Sequence, residues 1–243
     1  MKIIGNKKKM VLISIIMNTY NDQENHLRKA IEGYQNQKIP CELIISTIYD
    51  DPAIKTATEM GVKKIIFNKN PGICNQLNKA LENVEGQWFC YASGNDFALP
   101  NKLIDEHSLL FKTRKKVCYS AFHSGDKNLK ITGTYRFHPY NYAKHKIGNF
   151  IIDNAMTNMK ILRKYLPFRE EVGNYLFWDM WLTIYENEGN VFFYNPVPNF
   201  IYRLDGMGRH FKKKKDKALW NFDERHKTHM LKLHGIKYKP RLK

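Results

Sequence analysis

Three short polar clusters interrupt the apolar runs of the first hundred residues: Asn18-Thr19-Tyr20-Asn21, Tyr49-Asp50-Asp51 and Ser93-Gly94-Asn95-Asp96. Each sets amides, hydroxyls or a phenol beside the end of a β-rich stretch, and the second and third add carboxylates. The polar strand ends suit a nucleotide ligand. No G-x-G-x-x-G and no P-loop occurs, so a dinucleotide dehydrogenase and an ATPase both lose ground. Further along, Asp179 lies within Trp178-Asp179-Met180-Trp181, an unusual setting for a carboxylate that only meets solvent. Gly206 and Gly208 in Asp205-Gly206-Met207-Gly208-Arg209-His210 suggest a loop able to close over a ligand.

The elements that must position these clusters alternate. Val11–Met17 is a continuous apolar run, as in a strand buried on both faces. Residues 22–37 carry Leu27, Ala30, Ile31 and Tyr34 on one helical face, with Asn21 or Asp22 as N-cap. Strand patterns follow at 42–49, 62–67 and 87–92, separated by helices at 52–60 and 71–84, the latter opened by Pro71 with Asn70 as cap. This rhythm predicts a parallel sheet flanked by helices, whose ligands bind at the carboxyl ends of the strands, where the three clusters lie. Beyond it the spacing predicts a helix over 102–114, a strand over 116–122, a turn-rich link over 124–130, a strand over 149–157 and a helix over 175–187. Short strands at 191–194 and 200–203 and a basic, partly helical tail complete the chain.

The 243 residues fit one large domain, and a 43% hydrophobic content is ample for a core. No apolar run reaches the roughly 18–20 residues of a membrane span. Met1–Met10 is basic, but the stretch after it runs into Asn18 without a small-residue cleavage site, so it reads as a first strand in a cytoplasmic protein. Four scattered cysteines form neither a zinc pattern nor a disulfide framework. Charge is the unusual feature: +17 overall, and 14 Lys+Arg against four Asp+Glu from Ile201 to Lys243, a net of +10. Such a field attracts anions, whether nucleic acid, membrane surface or phosphorylated ligands, although a Lys- and Asn-rich composition of AT-rich coding accounts for part of it.

In its ordered motifs the chain resembles GT-A fold glycosyltransferases of family 2, over about Val11 to Arg203. Val11–Asn21 is similar to the opening strand and Thr-Tyr-Asn turn, and Asn70-Pro71-Gly72-Ile73 with Asn78 to the following helix. Trp88–Leu103 is similar to the acidic motif and its Leu-Pro-x-Lys-Leu exit. Phe168-Arg169-Glu170, Trp178–Leu182 and Tyr202-Arg203 resemble the acceptor-side segments.

The resemblance implies a mixed, mainly parallel α/β sheet flanked by helices: a domain over 1–203 and a basic extension over 204–243. It implies an enzyme that moves a hexosyl or pentosyl unit from a nucleoside-diphosphate sugar, a UDP-sugar first, to an acceptor hydroxyl with inversion. Thr19, Tyr20, Asn21, Asp50, Asp51, Asn78, Ser93, Gly94, Asn95 and Asp96 would hold the donor, and Asp179 would be the base. Mn²⁺ or Mg²⁺ would sit on Asp96 and Asn95, with His210 as a further ligand. The family's Asp-x-Asp positions fall on Ser93 and Asn95, leaving Asp96 as the acid. Trp178, Arg203, Arg209, Lys212, Lys213, Lys214 and Lys215 would face the acceptor or an anion. Two acceptors stay open: a glycan or lipid-linked sugar, with the tail on an anionic membrane, and a modified base in DNA, as for a virus-encoded enzyme. The alternative is a catalytically decayed scaffold that binds anions or nucleic acid.

Overall fold

Ile13, Ser14, Ile15, Ile16 and Met17 are all fully buried, which only a central strand covered on both faces allows. They form β1 (Ile13–Asn18), whose alternation sends Ile13, Ile15 and Met17 into one core and Ile16 into the other. Burial of each such side chain contributes about 2 kcal/mol. The computed structural model describes residues 11–204 and 217–240.

β1 pairs in parallel with β2 (Cys41–Ile48) and β4 (Trp88–Ser93), and β2 with β3 (Lys64–Asn68). Helices α1 (Glu24–Gln35), α2 (Ala53–Glu59) and α3 (Ile73–Leu81) connect them, and α4 (Lys102–Thr113) follows β4. Beyond β4 the large sheet continues through β9 (Met156–Asn158), antiparallel to its neighbours, then β6 (Val117–Ser120) and β10 (Phe192–Asn195), in the order β10-β6-β9-β4-β1-β2-β3. A second, four-stranded sheet has the order β5-β11-β7-β8, from β5 (Phe97–Ala98), β11 (Phe200–Arg203), β7 (Phe122–Gly125) and β8 (Ile131–Tyr135). Short helices α5 (Tyr142–Ile147) and α6 (Met159–Leu162), a 3₁₀ turn at Glu170–Tyr175 and α7 (Leu176–Glu188) cover the remaining face. The last described helix, α8 (Lys217–Leu233), packs on the 3₁₀ turn and buries Met230 and Leu231 in the same core as α3 and α7. Among the described residues no helix is long and apolar enough to cross a membrane.

The mainly parallel α/β sheet of the sequence reading is present, with corrections in detail. The N-cap of α1 is Gln23, not Asn21 or Asp22. Asn21 adopts a left-handed φ of 52° and gives its N–H to Asp51, while Asp22 turns its carboxylate to Asn95. The cap of α3 is Gly72, not Asn70, and the Gln76 side-chain oxygen accepts from its N–H at 3.3 Å. The expected strand over 116–122 splits at Ala121 and feeds two sheets, while the turn-rich link and the residues after it build the β7–β8 hairpin. Of the strand expected over 149–157 only Met156–Asn158 forms.

Candidate functional site

The parallel register sets Asn18 level with both Ser46 and Ser93, so the turns that leave β1 and β4 meet at the carboxyl edge of the sheet. The Asn95 amide donates to Asp22 at 3.0 Å. A Cβ on Gly94 would lie 2.5 Å from the Asp22 carboxylate, so this approach of the two turns requires glycine. Asp51 is buried and accepts from the backbone N–H groups of Asn21 and Ala53 at 2.9 and 2.8 Å, tying the β1 turn to the start of α2. Asp50 is exposed beside it.

Amides not singled out in the sequence complete the frame. Buried Gln76 donates to the carbonyls of Thr19 and Ser46 at 3.1 and 3.2 Å, and buried Asn68 donates to the Ser46 hydroxyl and the Thr47 carbonyl. These bonds fix the ends of β1 and β2, where unpaired backbone carbonyls would otherwise cost a desolvation penalty. By contrast, Asn18 Oδ1 and Thr19 Oγ1 are buried with no hydrogen-bond partner. Both residues line a cavity of about 620 Å³, walled by Tyr20, Asp22, the Pro71–Gln76 start of α3, Glu170, Gly173 and α8. A buried polar atom left unpaired carries a desolvation cost that a partner's hydrogen bond would relieve.

A second cavity, of about 770 Å³, opens between the two sheets. Phe122, Tyr135, Phe137, Phe150, Phe200 and Tyr202 line it, together with Ser93, Asp96 and Asp153. Phe122 and Tyr135 stack at 4.9 Å, and Tyr135 and Tyr202 are 51% and 42% exposed. Tyr91 lines both cavities, and the Ser93–Asp96 turn lies beside it. Neither lining includes a lysine or arginine among the described residues.

Carboxylates gather where the cavities meet. Burial lifts Asp96 to about 7, although Arg203 opposes the rise: its backbone N–H donates to Asp96 at 3.2 Å and its Nε donates to the Asn95 carbonyl at 2.8 Å. Asp153 is exposed at the cavity mouth, and desolvation by its surroundings raises it to about 7. Asp22 rises to about 6, by burial first and then by its neighbour Asp51. Asp22 and Asp153 each raise Asp96 further. Among the described residues no three His, Cys, Asp or Glu side chains stand close enough to enclose an ion. A small hard cation needs only one or two carboxylates when phosphate oxygens and water fill its shell, and Asp96 meets that requirement.

Asp179 lies elsewhere. It opens α7 at 3% exposure and accepts from Arg169 Nε at 2.8 Å, with Arg169 Nη2 2.8 Å from its other oxygen. His234 Nε2 is 3.0 Å from that second oxygen, and His234 Nδ1 is 2.8 Å from Glu186. Carboxylates only accept, so both imidazole nitrogens carry protons; burial opposes that charge, but the two carboxylates prevail and raise the pKa. Asp179 lines neither cavity. Its setting between tryptophans reflects this buried ion-pair network. Trp178 likewise lines neither cavity and donates from Nε1 to the His145 carbonyl at 2.9 Å. Asn78 holds both backbone groups of Phe168, at 2.9 and 2.8 Å, and so positions the segment bearing Arg169 and Glu170. Thr19, Tyr20, Ser93 and Asp96 line the cavities, and Gly94, Asn95 and Arg203 support the turn between them. Arg209, His210, Lys212, Lys213, Lys214 and Lys215 lie outside the described residues.

Residues 14–166 match the family model described as Glycosyl transferase family 2. An uncharacterised glycosyltransferase of Methanocaldococcus jannaschii is 25% identical over 228 residues, spanning 87% of this chain and 77% of its own length. Among solved structures, S. aureus TarS superposes with a TM-score of 0.66 at 14% identity, over 89% of this chain and 43% of TarS. Its residues 1–349 in complex with UDP-GlcNAc give 0.64 at 13% identity, over 90% of this chain and 67% of that one. The chain thus spans under half the length of TarS, and a likeness at that identity is one of fold.

Proposed function

The chain belongs to glycosyl transferase family 2, and from that premise we propose that it moves a sugar from a nucleoside-diphosphate donor in the first cavity to an acceptor hydroxyl in the second. The observation that carries this reading is the shared wall: Tyr91 lines both cavities, beside the turn that bears Asp96. The unpartnered Asn18 and Thr19 oxygens supply the nucleotide's hydrogen bonds. UDP is the first donor to try, since the S. aureus neighbour is described in complex with UDP-GlcNAc. A divalent cation held by Asp96 would stabilise charge on the departing diphosphate.

The base must reach the acceptor hydroxyl's proton. Asp153 lines the acceptor cavity and is poised near 7, which suits a base at neutral pH better than Asp179, whose oxygens are already engaged by Arg169 and His234. In this mechanism Asp153 takes the hydroxyl proton as the acceptor oxygen bonds to the anomeric carbon. The bond from that carbon to the diphosphate breaks, and its electron pair leaves with the nucleotide. Nucleophile and leaving group occupy different cavities, so attack comes from opposite the leaving group and inverts the centre.

Aromatic faces in a lining that holds no lysine or arginine among the described residues suit the apolar face of an uncharged sugar ring. A polyanion such as DNA would instead meet Asp96 and Asp153, so a neutral glycan is the favoured acceptor. The test is a screen of nucleotide sugars against neutral oligosaccharides and DNA carrying hydroxylated bases, with Mn²⁺ or Mg²⁺ present. Transfer to a neutral oligosaccharide, lost in Asp153→Asn, is the expected result. Transfer to DNA alone would overturn the acceptor assignment, and binding without turnover of any donor would return the chain to the decayed-scaffold alternative.

A further inference from the structure

Helix α8 lies outside the family-matched segment 14–166, yet it supplies one wall of the donor cavity. Its docking is built. Asn174 donates to Asp223 at 3.1 Å, Tyr238 donates to Glu224 at 2.7 Å, and His234 joins Asp179 and Glu186 at the helix's far end. One turn apart on its inner face, Phe222 and His226 reach the cavity with ring centroids 4.2 Å apart.

His226 is held in one orientation. Its Nδ1 lies 2.8 Å from the Phe222 carbonyl, which can only accept, so Nδ1 carries the proton and Nε2 is left for another partner. The ring lies against Gly173, whose φ of 57° is left-handed. A Cβ there would come within 2.8 Å of the imidazole, so glycine at this turn makes room for the ring. The cavity also contains the carboxylates Asp22 and Glu170, and among its described lining residues only His226 can carry positive charge. A diphosphate entering it would face two acids, with one candidate cation to receive it.

We propose that His226 is a phosphate-contacting residue of the donor cavity, giving, as the imidazolium that pairs with the bound diphosphate, an N–H from Nε2 to the nucleotide sugar. This rests on the donor reading above and adds a specificity residue from a helix outside the matched segment. Phe222 and Gly173 are positioning residues for it.

The test is calorimetric affinity for UDP, GDP and dTDP, and for the matching nucleosides, in the wild type, His226→Gln and His226→Lys. With the tightest-binding nucleotide, His226→Gln weakens the diphosphate roughly tenfold, the worth of one charge-assisted hydrogen bond. It leaves the nucleoside unchanged, and His226→Lys restores most of the loss. A glutamine variant that binds the diphosphate as tightly as the wild type overturns the proposal. So does one that weakens diphosphate and nucleoside alike, because His226 would then only shape the wall. If the wild type binds no nucleotide or nucleoside, the donor reading itself fails and takes this proposal with it, a failure visible before any variant is compared.

Discussion

The cavity beside α3 is framed by amides, hydroxyls and a helix start, whereas the cavity between the sheets is framed by stacked rings. The first takes its shape from hydrogen bonds among neighbouring elements: Gln76 to Thr19 and Ser46, Asn68 to Ser46, Asn21 to Asp51. Such bonds have narrow geometry, so the pocket is suited to reading a defined polar ligand. The second takes its shape from packing among β7, β8, β11 and the segment before β9, where contacts are individually weak and rings can adjust. Under the proposed function, the first surface would set donor identity and the second would accept a class of ring-shaped partners. Neither lining includes a lysine or arginine among the described residues, and His226 is the one basic side chain described in the first.

The sharpest break in this comparison is Asp153→Asn. It should cost transfer ~10²–10⁴-fold, the usual worth of a general base, while donor affinity measured by calorimetry holds. In the wild type kcat/KM should rise as pH climbs through about 7, because the base acts only when deprotonated, and the variant should lose that limb. Next in size, Asp179→Asn should act on stability rather than chemistry. Removing the carboxylate strands Arg169 and His234 and costs about 2 kcal/mol, less than a fully buried pair because Arg169 is half-exposed. Thermal melts check it, as does their pH dependence. His234 has a raised folded pKa, so its contribution is fully present below the ordinary histidine value and is lost as pH rises through the raised one. His234→Asn should flatten that decline.

Thr19→Val sharpens the donor side. It removes an unpartnered buried hydroxyl, so the apo protein keeps or gains stability while nucleotide affinity falls about tenfold. The smallest effect is expected on the acceptor side. Tyr135→Ala should raise acceptor KM about fivefold, the worth of one aromatic contact, with donor affinity unchanged. An equal change in both constants would mean that the two cavities do not divide the substrates.

The donor half was the legible half, for a physical reason. Its strands are buried on both faces and its helices are long, so apolar runs and a 3.6-residue period both show in the sequence. The polar clusters at 18–21 and 93–96 then had to meet at the sheet edge. The acceptor half carries weaker signals. β8 is mostly exposed and has no apolar alternation, α5 has six residues, and one apolar run from Val117 to Phe122 feeds two sheets. Asp153 fell inside an expected strand, and nothing local marks it as facing a cavity built from distant aromatics. Asp179 was marked by its apolar neighbours and by the resemblance as a base, but its partners Arg169 and His234, ten and 55 residues away, were not legible. Long-range ion pairing leaves no periodic trace.

A crystal structure of the protein soaked with a nucleoside diphosphate and a neutral oligosaccharide tests the two-cavity account most directly. The account predicts the nucleotide against Thr19 and the start of α3, its phosphates toward His226, and a sugar ring on Tyr135 and Tyr202 with a hydroxyl at Asp153. Nucleotide bound between the two sheets, or an acceptor hydroxyl lodged at Asp179, would contradict it.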